Sequence, residues 1–341
     1  MSLPDYQIGR VVLGDPVSVT KAYARFREQP IDETCLAPNR ASPFTDFRRG
    51  LSVDVPVTGV GTFKGSVSQT LTFSPSARPG WWIRRLDLPE QLDIAVDIVN
   101  LRSSAQNLVL GCGSAANQLR MVEHIIALKA GLGVDDVLIK VTSSDPPLFD
   151  ASSRPLVDAM EKAGITTSTT PVRYVTVKEP LAFGGSRGDF LLFLPAAAGE
   201  RNLRVDCAIT WNTVIGSERV LFDATPETFK YASLARTNAT RRQYVLAKTI
   251  GRLFSSTRNL GYTKENILIH GPKGFYGEPR FPMGDKFLEP VWHRATLDLM
   301  AALSLTGPDR LVGTVVSYRA GHTLDCDAIR ALYRNDLLCS I

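Results

Sequence analysis

The repeated order of strand-like and helix-like patterns is the feature that most constrains this fold. Strand-like alternation of apolar and polar residues dominates positions 55–97, and a helical spacing of apolar residues replaces it further along the first half. The second half repeats this plan, with strand-like runs across 173–209 followed by helical stretches at 227–236 and 291–305. Two similar α+β domains, each with helices packed on a β-sheet in a β-α-α-β sandwich, explain the repeat better than one doubly wound sheet. No glycine-rich phosphate loop of the Rossmann or Walker type supports that alternative.

The first long helical pattern contains the adjacent pair Glu123 and His124. Ser114 is available as a cap at its start, and Gly131 and Gly133 predict its end. Its predicted apolar face consists of Leu119, Val122, Ile126 and Leu128. We therefore expect one helix from about residue 114 to the glycines.

Two stretches predict the domain boundaries. Residues 1–53 contain Pro, Arg and Asp without sustained periodicity, so we expect an N-terminal extension. The polar, β-branched run at 166–171 ends in proline and is the best linker candidate in the chain. The predicted organisation is an extension at 1–53, a first α+β domain at 54–168 and a second at 169–341.

Composition and charge exclude several classes of function. The chain has 341 residues, of which 44% are hydrophobic and 21% charged, as in globular domains rather than disordered or coiled-coil chains. Its net charge of +5 is spread along the sequence without a run of like charges, so we expect no nucleic-acid partner. No apolar stretch reaches the roughly 18–20 residues that a spanning helix needs, and the N-terminus lacks the apolar core of a signal peptide. We therefore predict a cytoplasmic protein.

Only four histidines are available for metal or acid–base chemistry, namely His124, His270, His293 and His322. The five cysteines include no CxxC pair, so neither a disulfide framework nor a thiolate zinc site is indicated. Taken alone, a Glu–His pair on a helix is usually a surface pair. Asp298 follows His293 by five residues, which leaves the two side chains about 140° apart on a regular α-helix. These spacings alone do not select a site.

Several separated motifs occur in the order of one known family. In the first half they are Gly-Val-Gly at 59–61, Val-Glu-His at 122–124 and Gly-Leu-Gly-Val-Asp at 131–135. In the second half they are Ala-Arg-Thr at 235–237 and Tyr-Arg-Ala-Gly-His-Thr-Leu-Asp at 318–325. In this order the chain resembles the UDP-3-O-acyl-N-acetylglucosamine deacetylases, the zinc hydrolases of lipid A biosynthesis. The resemblance covers the chain from near Asp54 to the C-terminus.

The resemblance implies a zinc centre with one open position. Its ligands would be His124, His293 and Asp298. A zinc ion in such a site acidifies a bound water and polarises an amide carbonyl. The implied substrate is a UDP-linked 3-O-acyl-N-acetylglucosamine that loses its N-acetyl group, and its acyl chain suggests a peripheral contact with a membrane.

The same resemblance assigns roles to the remaining site residues. Glu123 would accept the proton of the attacking water as general base. Thr237 would hydrogen-bond the oxyanion, and His322, kept cationic, would stabilise that charge or protonate the departing amine. Arg294 is the candidate for substrate binding, whereas His270 is left as an ordinary residue at a strand end.

The metal motif departs from the family pattern. The family spaces its second His and its Asp four residues apart, whereas His293 and Asp298 are five apart. A one-residue π-bulge at Ala295-Thr296 would return both side chains to one face, and a broken ligand set is the alternative. The family's second Asp falls on Ala302, so we expect a less basic acid histidine. The alternative function is a non-catalytic paralogue that binds a sugar nucleotide, a lipid or a protein partner.

Overall fold

The structure is a computed structural model that describes residues 3–38, 43–65, 67–249 and 261–341. Helices and sheets are both present throughout these residues, so the expected mixed α/β character is confirmed. The helices are α1 (Pro16–Glu28), α2 (Glu123–Leu132), α3 (Arg154–Lys162), α4 (Pro226–Ala232), α5 (Arg241–Lys248), α6 (Glu289–His293), α7 (Met300–Leu303) and α8 (His322–Arg334), with a π-helical segment, Arg294–Leu299, between α6 and α7 and a 3₁₀ turn at Ile98–Asn100. None of the helices in these ranges is long and apolar enough to cross a membrane.

Short strands make up the rest of the regular structure. In chain order they are β1 (Arg10–Leu13), β2 (Glu33–Cys35), β3 (Phe47–Leu51), β4 (Val55–Gly61), β5 (Ser68–Pro75), β6 (Trp81–Arg85), β7 (Ile94–Ala95), β8 (Leu101–Ser103), β9 (Val109–Gly111), β10 (Gln118–Arg120), β11 (Val137–Val141), β12 (Pro147–Leu148), β13 (Ile165–Pro171), β14 (Tyr174–Val177), β15 (Leu181–Gly184), β16 (Phe190–Leu194), β17 (Leu203–Trp211), β18 (Gly216–Asp223), β19 (Thr237–Thr240), β20 (Ile267–His270), β21 (Pro282–Met283), β22 (Lys286–Phe287), β23 (Arg310–Leu311), β24 (Gly313–Tyr318) and β25 (Leu338–Ser340). The strand-like patterns within 55–97 and 173–209 are confirmed, because β4 to β7 and β14 to β17 lie there.

Two large sheets enclose the core. One has the order β12-β4-β5-β11-β6-β7, and the other has the order β1-β15-β16-β24-β17-β18-β2. A single hydrophobic cluster contains Phe73 of the first sheet, Phe193 of the second and Trp292 of α6. Helix α2 packs against the π segment and α7, so the helices meet in the interior. This contact between helices positions the site, while the division into two similar domains at residue 168 stays a prediction.

Residues before position 53 take part in the second sheet instead of standing apart from it. Strand β1 pairs with β15 at one edge, and β2 pairs with β18 at the other. Helix α1 begins at an Asp15 cap and buries Phe26 against Phe190 and Tyr318. Leu191 on the opposite face of β16 joins the main core, so this strand is buried on both faces and its sequence is continuously apolar.

The helix expected from residue 114 is wrong over its first half. Residues 118–120 form β10 in a three-stranded sheet with β9 and β8. Met121 then adopts a left-handed φ of 51°, which a continuing α-helix does not allow, and α2 begins only at Glu123. The predicted end is confirmed, because Gly133 has a left-handed φ of 58° at the C-cap.

Two other local predictions need correction. The run at 166–171, predicted to be a linker, is part of strand β13, and its β-branched threonines pair with β3. The helix expected at 227–236 ends at Ala232, because a turn at Ala235 leads the chain into β19. This early end places Thr237 at the first position of a strand.

Candidate active site

The predicted site residues lie at the ends of separate elements and meet at one place. Thr237 Oγ1, at the start of β19, lies 3.0 Å from His124 Nε2 and 3.2 Å from His293 Nε2. Asp298 Oδ1 lies 3.6 Å from His293 Nδ1 and 3.6 Å from His322 Nε2. The structure therefore brings together both imidazoles, the carboxylate, the hydroxyl and the third histidine that the sequence selected.

The extra residue between His293 and Asp298 is absorbed by a widened helical turn. Arg294–Leu299 is a π-helix, in which each backbone hydrogen bond spans five residues instead of four. Asp298 consequently returns to the side of the helix that carries His293. The Thr296 hydroxyl donates a 2.6 Å hydrogen bond to the carbonyl of Trp292 inside this segment. The predicted π-bulge is confirmed.

The chemistry of the donor set fits zinc. Two imidazole nitrogens and one carboxylate are the ligand types of catalytic zinc sites. Asp298 Oδ1 is buried and has no hydrogen-bond partner among the described residues, so its lone pairs are available to a cation. Across residues 3–38, 43–65, 67–249 and 261–341, no three His, Cys, Asp or Glu side chains form a ready metal cluster. Zinc binding therefore stays a prediction that rests on the donor types and their convergence.

The ionisation of these groups suits a metal site. Burial, followed by the neighbouring His293, lowers the pKa of His124 to about 3, and burial lowers the pKa of His293. Both imidazoles are thus neutral, as metal ligands must be. Burial alone would raise the pKa of Asp298, but His293, His322 and Arg294 outweigh it and hold that pKa below its usual value. The carboxylate is therefore ionised.

Glu123 is a buried carboxylate beside the candidate ligand His124. Its Oε2 accepts a hydrogen bond of 3.0 Å from the backbone N–H of Leu108. Burial raises the pKa of Glu123 to about 7, against the opposing effect of His322. A carboxyl group with a pKa near neutrality is well matched to proton transfer at neutral pH.

Three carboxylates raise the basicity of His322 above that of an ordinary histidine. Burial alone would lower its pKa, but the carboxylates of Asp298, Glu123 and Asp325 raise it above the ordinary value. The expectation that His322 is less basic than the acid histidine of a relative with a second Asp at position 302 stays a prediction. Carboxylates from three other positions face the imidazole, although Ala302 itself is buried in α7 without a charge.

Arg294, the candidate for substrate binding, lies in the interior. Its Nε donates to the carbonyl of Ala320 at 2.8 Å, and its Nη2 donates to Asp325 Oδ1 at 2.6 Å and to Ser317 Oγ at 3.3 Å. The Arg294 side chain is only 6% exposed. Its substrate-binding role stays a prediction that no contact supports, because most of its donors already serve protein acceptors.

A second buried ion pair, which the sequence analysis did not single out, fixes Thr237. Arg236 Nε donates to Glu289 Oε1 at 2.7 Å, and the backbone N–H of Arg236 donates to the same oxygen at 3.0 Å. This pair ties the start of β19 to the start of α6, which carries His293. Arg236 stands in the Ala-Arg-Thr motif, so the motif itself was the available signal. His270 lies outside the site, where its ring packs on Trp211.

The structure is a mixed α/β protein in which histidine and carboxylate side chains converge, and these are the residue types from which metal-dependent hydrolases build their sites. The family model for UDP-3-O-acyl N-acetylglycosamine deacetylase matches residues 48–334, and the chain belongs to this family of zinc deacetylases. Curated relatives from Brucella ovis and Brucella canis, both named UDP-3-O-acyl-N-acetylglucosamine deacetylase, are each 23% identical to it over 292 residues. These alignments cover 85% of this chain and 96% of each relative. The resemblance drawn from the motifs is confirmed, and the low identity marks a divergent member.

Proposed function

We propose that this chain is a zinc-dependent amide hydrolase that removes the N-acetyl group from a UDP-linked 3-O-acyl-N-acetylglucosamine or a close analogue. The observation that carries the proposal is the π segment, which keeps Asp298 beside His293 despite the inserted residue. If the ligand set had no function, nothing would favour a π segment that keeps Asp298 beside His293 after the insertion. Family membership supports the reaction type, and the proposal places the protein in the cytoplasm.

The metal would be held by His124, His293 and Asp298, and when bound it would polarise the amide carbonyl and acidify the attacking water. Glu123 takes the proton of that water, since Leu108 occupies Oε2 and leaves Oε1 for the transfer. The Thr237 hydroxyl lies between both imidazoles and donates to the oxygen that becomes negative.

His322, whose Nε2 lies 3.6 Å from Asp298 Oδ1, completes the proposed reaction. Its raised pKa favours the cationic form, which holds a proton at Nε2. That proton passes to the nitrogen of the leaving amine as the carbon–nitrogen bond breaks. The cation also stabilises the negative charge of the intermediate before the bond breaks.

An apolar groove next to the site supports an acylated substrate. The groove has a volume of about 730 Å³ and is lined by Val245 and Leu246 of α5 together with Tyr276. Thr240, at the far end of β19 from Thr237, also lines it. Three residues of strand span about 10 Å, so a chain attached to the sugar can reach the groove. Partly exposed Val245 and Leu246 also suit a peripheral contact with a membrane.

The test is release of acetate from UDP-3-O-acyl-N-acetylglucosamine by protein purified without chelator. The proposal predicts turnover that stops when the metal is removed and returns when zinc is added. Glu123→Gln serves as the matched control, because it keeps the shape of the side chain and the zinc ligands. Zinc-loaded protein that binds the sugar nucleotide but releases no acetate would identify the non-catalytic paralogue instead.

A further inference from the structure

A buried polar cluster surrounds Asp325, three residues after His322. It consists of Arg294 on the π segment, Ser317 on β24, the carbonyl of Ala320 and Asp325 on α8. The side chain of Arg294 is 6% exposed and that of Asp325 is fully buried. Arg294 thereby ties the turn before α8, in which His322 is the first helical residue, to the segment that carries the candidate ligands.

Asp325 also shares a helix face with His322. The two residues are three apart on α8, which makes their side chains neighbours on the helix surface. His322 Nδ1 and Asp325 Oδ2 are both buried, and neither has a hydrogen-bond partner in the part of the chain that the structure describes. An imidazole N–H and a carboxylate oxygen are complementary, and buried polar atoms of this kind are normally paired directly or through one water.

We propose that Asp325 and Arg294 are positioning residues that orient His322 for the proposed deacetylation. Asp325 accepts the proton of Nδ1 through one bridging water and so directs Nε2 towards Asp298, while Arg294 holds Asp325 and the Ala320 carbonyl in place. This inference rests on the proposed function, because it assigns His322 a task. It also gives Arg294 a role within the protein in place of contact with substrate.

Stability alone does not account for the pair. A buried ion pair is often no better for stability than apolar residues of the same volume, because desolvation offsets the attraction. Another buried pair among the described residues is Arg219 with Asp206, whose side chains are both fully buried and 2.7 Å apart. That pair contacts Phe26 under α1, away from the site, and provides a matched control.

The decisive variants are Asp325→Asn and Arg294→Lys, with Asp206→Asn as the control. We expect Asp325→Asn to lower kcat about 10-fold or more, with KM and zinc content unchanged, as outer partners of catalytic groups do. Asp206→Asn is expected to lower the thermal transition without lowering kcat. Arg294→Lys keeps the charge but loses the bond to Ala320, so it tests the same point if Asp325→Asn does not fold.

A second measurement separates this inference from the proposed function. Long-range ¹H–¹⁵N spectra report each imidazole nitrogen, and the chain has only four histidines. In Asp325→Asn we expect the signals of His322 to shift while those of His270 stay, whether or not the protein turns over substrate. Unchanged His322 signals would overturn the inference, as would an equal loss of kcat in Asp206→Asn. A raised KM with unchanged kcat in Arg294→Lys would return that residue to substrate binding.

Discussion

Glu218 is a buried carboxyl group in direct contact with the helix that carries His293. The residue lies on β18, is 1% exposed, and its Oε2 accepts the backbone N–H of Val291 at 3.1 Å. Val291 belongs to the first turn of α6. Burial raises the pKa of Glu218 from 4.5 to about 9, so the folded protein holds this side chain protonated at neutral pH.

The effect on stability follows from proton linkage. Between pH 4.5 and about 9 the folded state binds more protons at Glu218 than the unfolded state, so the free energy of unfolding falls as pH rises through this window. Below pH 4.5 Glu218 is protonated in both the folded and the unfolded state, so it no longer lowers the free energy of unfolding. At pH 7 the pH is about 2.5 units above the pKa of Glu218 in the unfolded chain. Keeping Glu218 protonated in the folded state therefore costs about 3 kcal/mol of the free energy of unfolding.

Glu218→Gln should remove this cost, since glutamine is neutral at every pH and still accepts from Val291. We expect the variant to be more stable than the parent by about 3 kcal/mol at pH 7 and equal to it at pH 4. Urea unfolding of both proteins at a series of pH values measures the difference, with exposed Glu90→Gln as the control. An advantage that is the same at pH 4 and pH 7 would refute the reasoning.

Three further changes test other parts of the account. Glu123→Gln should keep its zinc, by metal analysis, and lose about 10²-fold in rate, because the general base is gone; a variant without zinc would make Glu123 structural. Thr296→Val should weaken zinc binding in a competition titration and cost about 1–3 kcal/mol, because the Trp292 carbonyl loses its hydroxyl partner, whereas Thr296→Ser should behave like the parent. Phe26→Ala should destabilise the fold by about 3–5 kcal/mol in thermal unfolding while zinc content stays the same, since α1 covers the sheet face remote from the site.

The site was accessible from sequence because its residues stand in short motifs. Glu123, His124, Thr237 and His322 each lie in a motif whose order identified the family. Comparing the five-residue spacing of His293 and Asp298 with the four-residue spacing of the family predicted the π segment. These inferences need only the motifs, their order and the spacing of the family they resemble. They did not require knowledge of which elements pack together.

What the sequence did not reveal depends on contacts between distant segments. The raised pKa of His322 could not be predicted locally, because Glu123 approaches it from a different helix, about two hundred positions earlier in the sequence. Strands β1 and β2 pair with β15 and β18, which lie far along the chain. Local periodicity cannot predict such long-range pairing. The helix expected from residue 114 failed because one left-handed residue, Met121, separates a strand from α2.

Zinc content is the most direct measure of the central claim that His124, His293 and Asp298 form a metal site across the π segment. Metal analysis of protein purified without chelator should find one zinc per chain. Asp298→Ala should lower that content, because it removes the only carboxylate of the set and leaves a second labile position. Parent protein without zinc, or Asp298→Ala with undiminished zinc, would contradict the account.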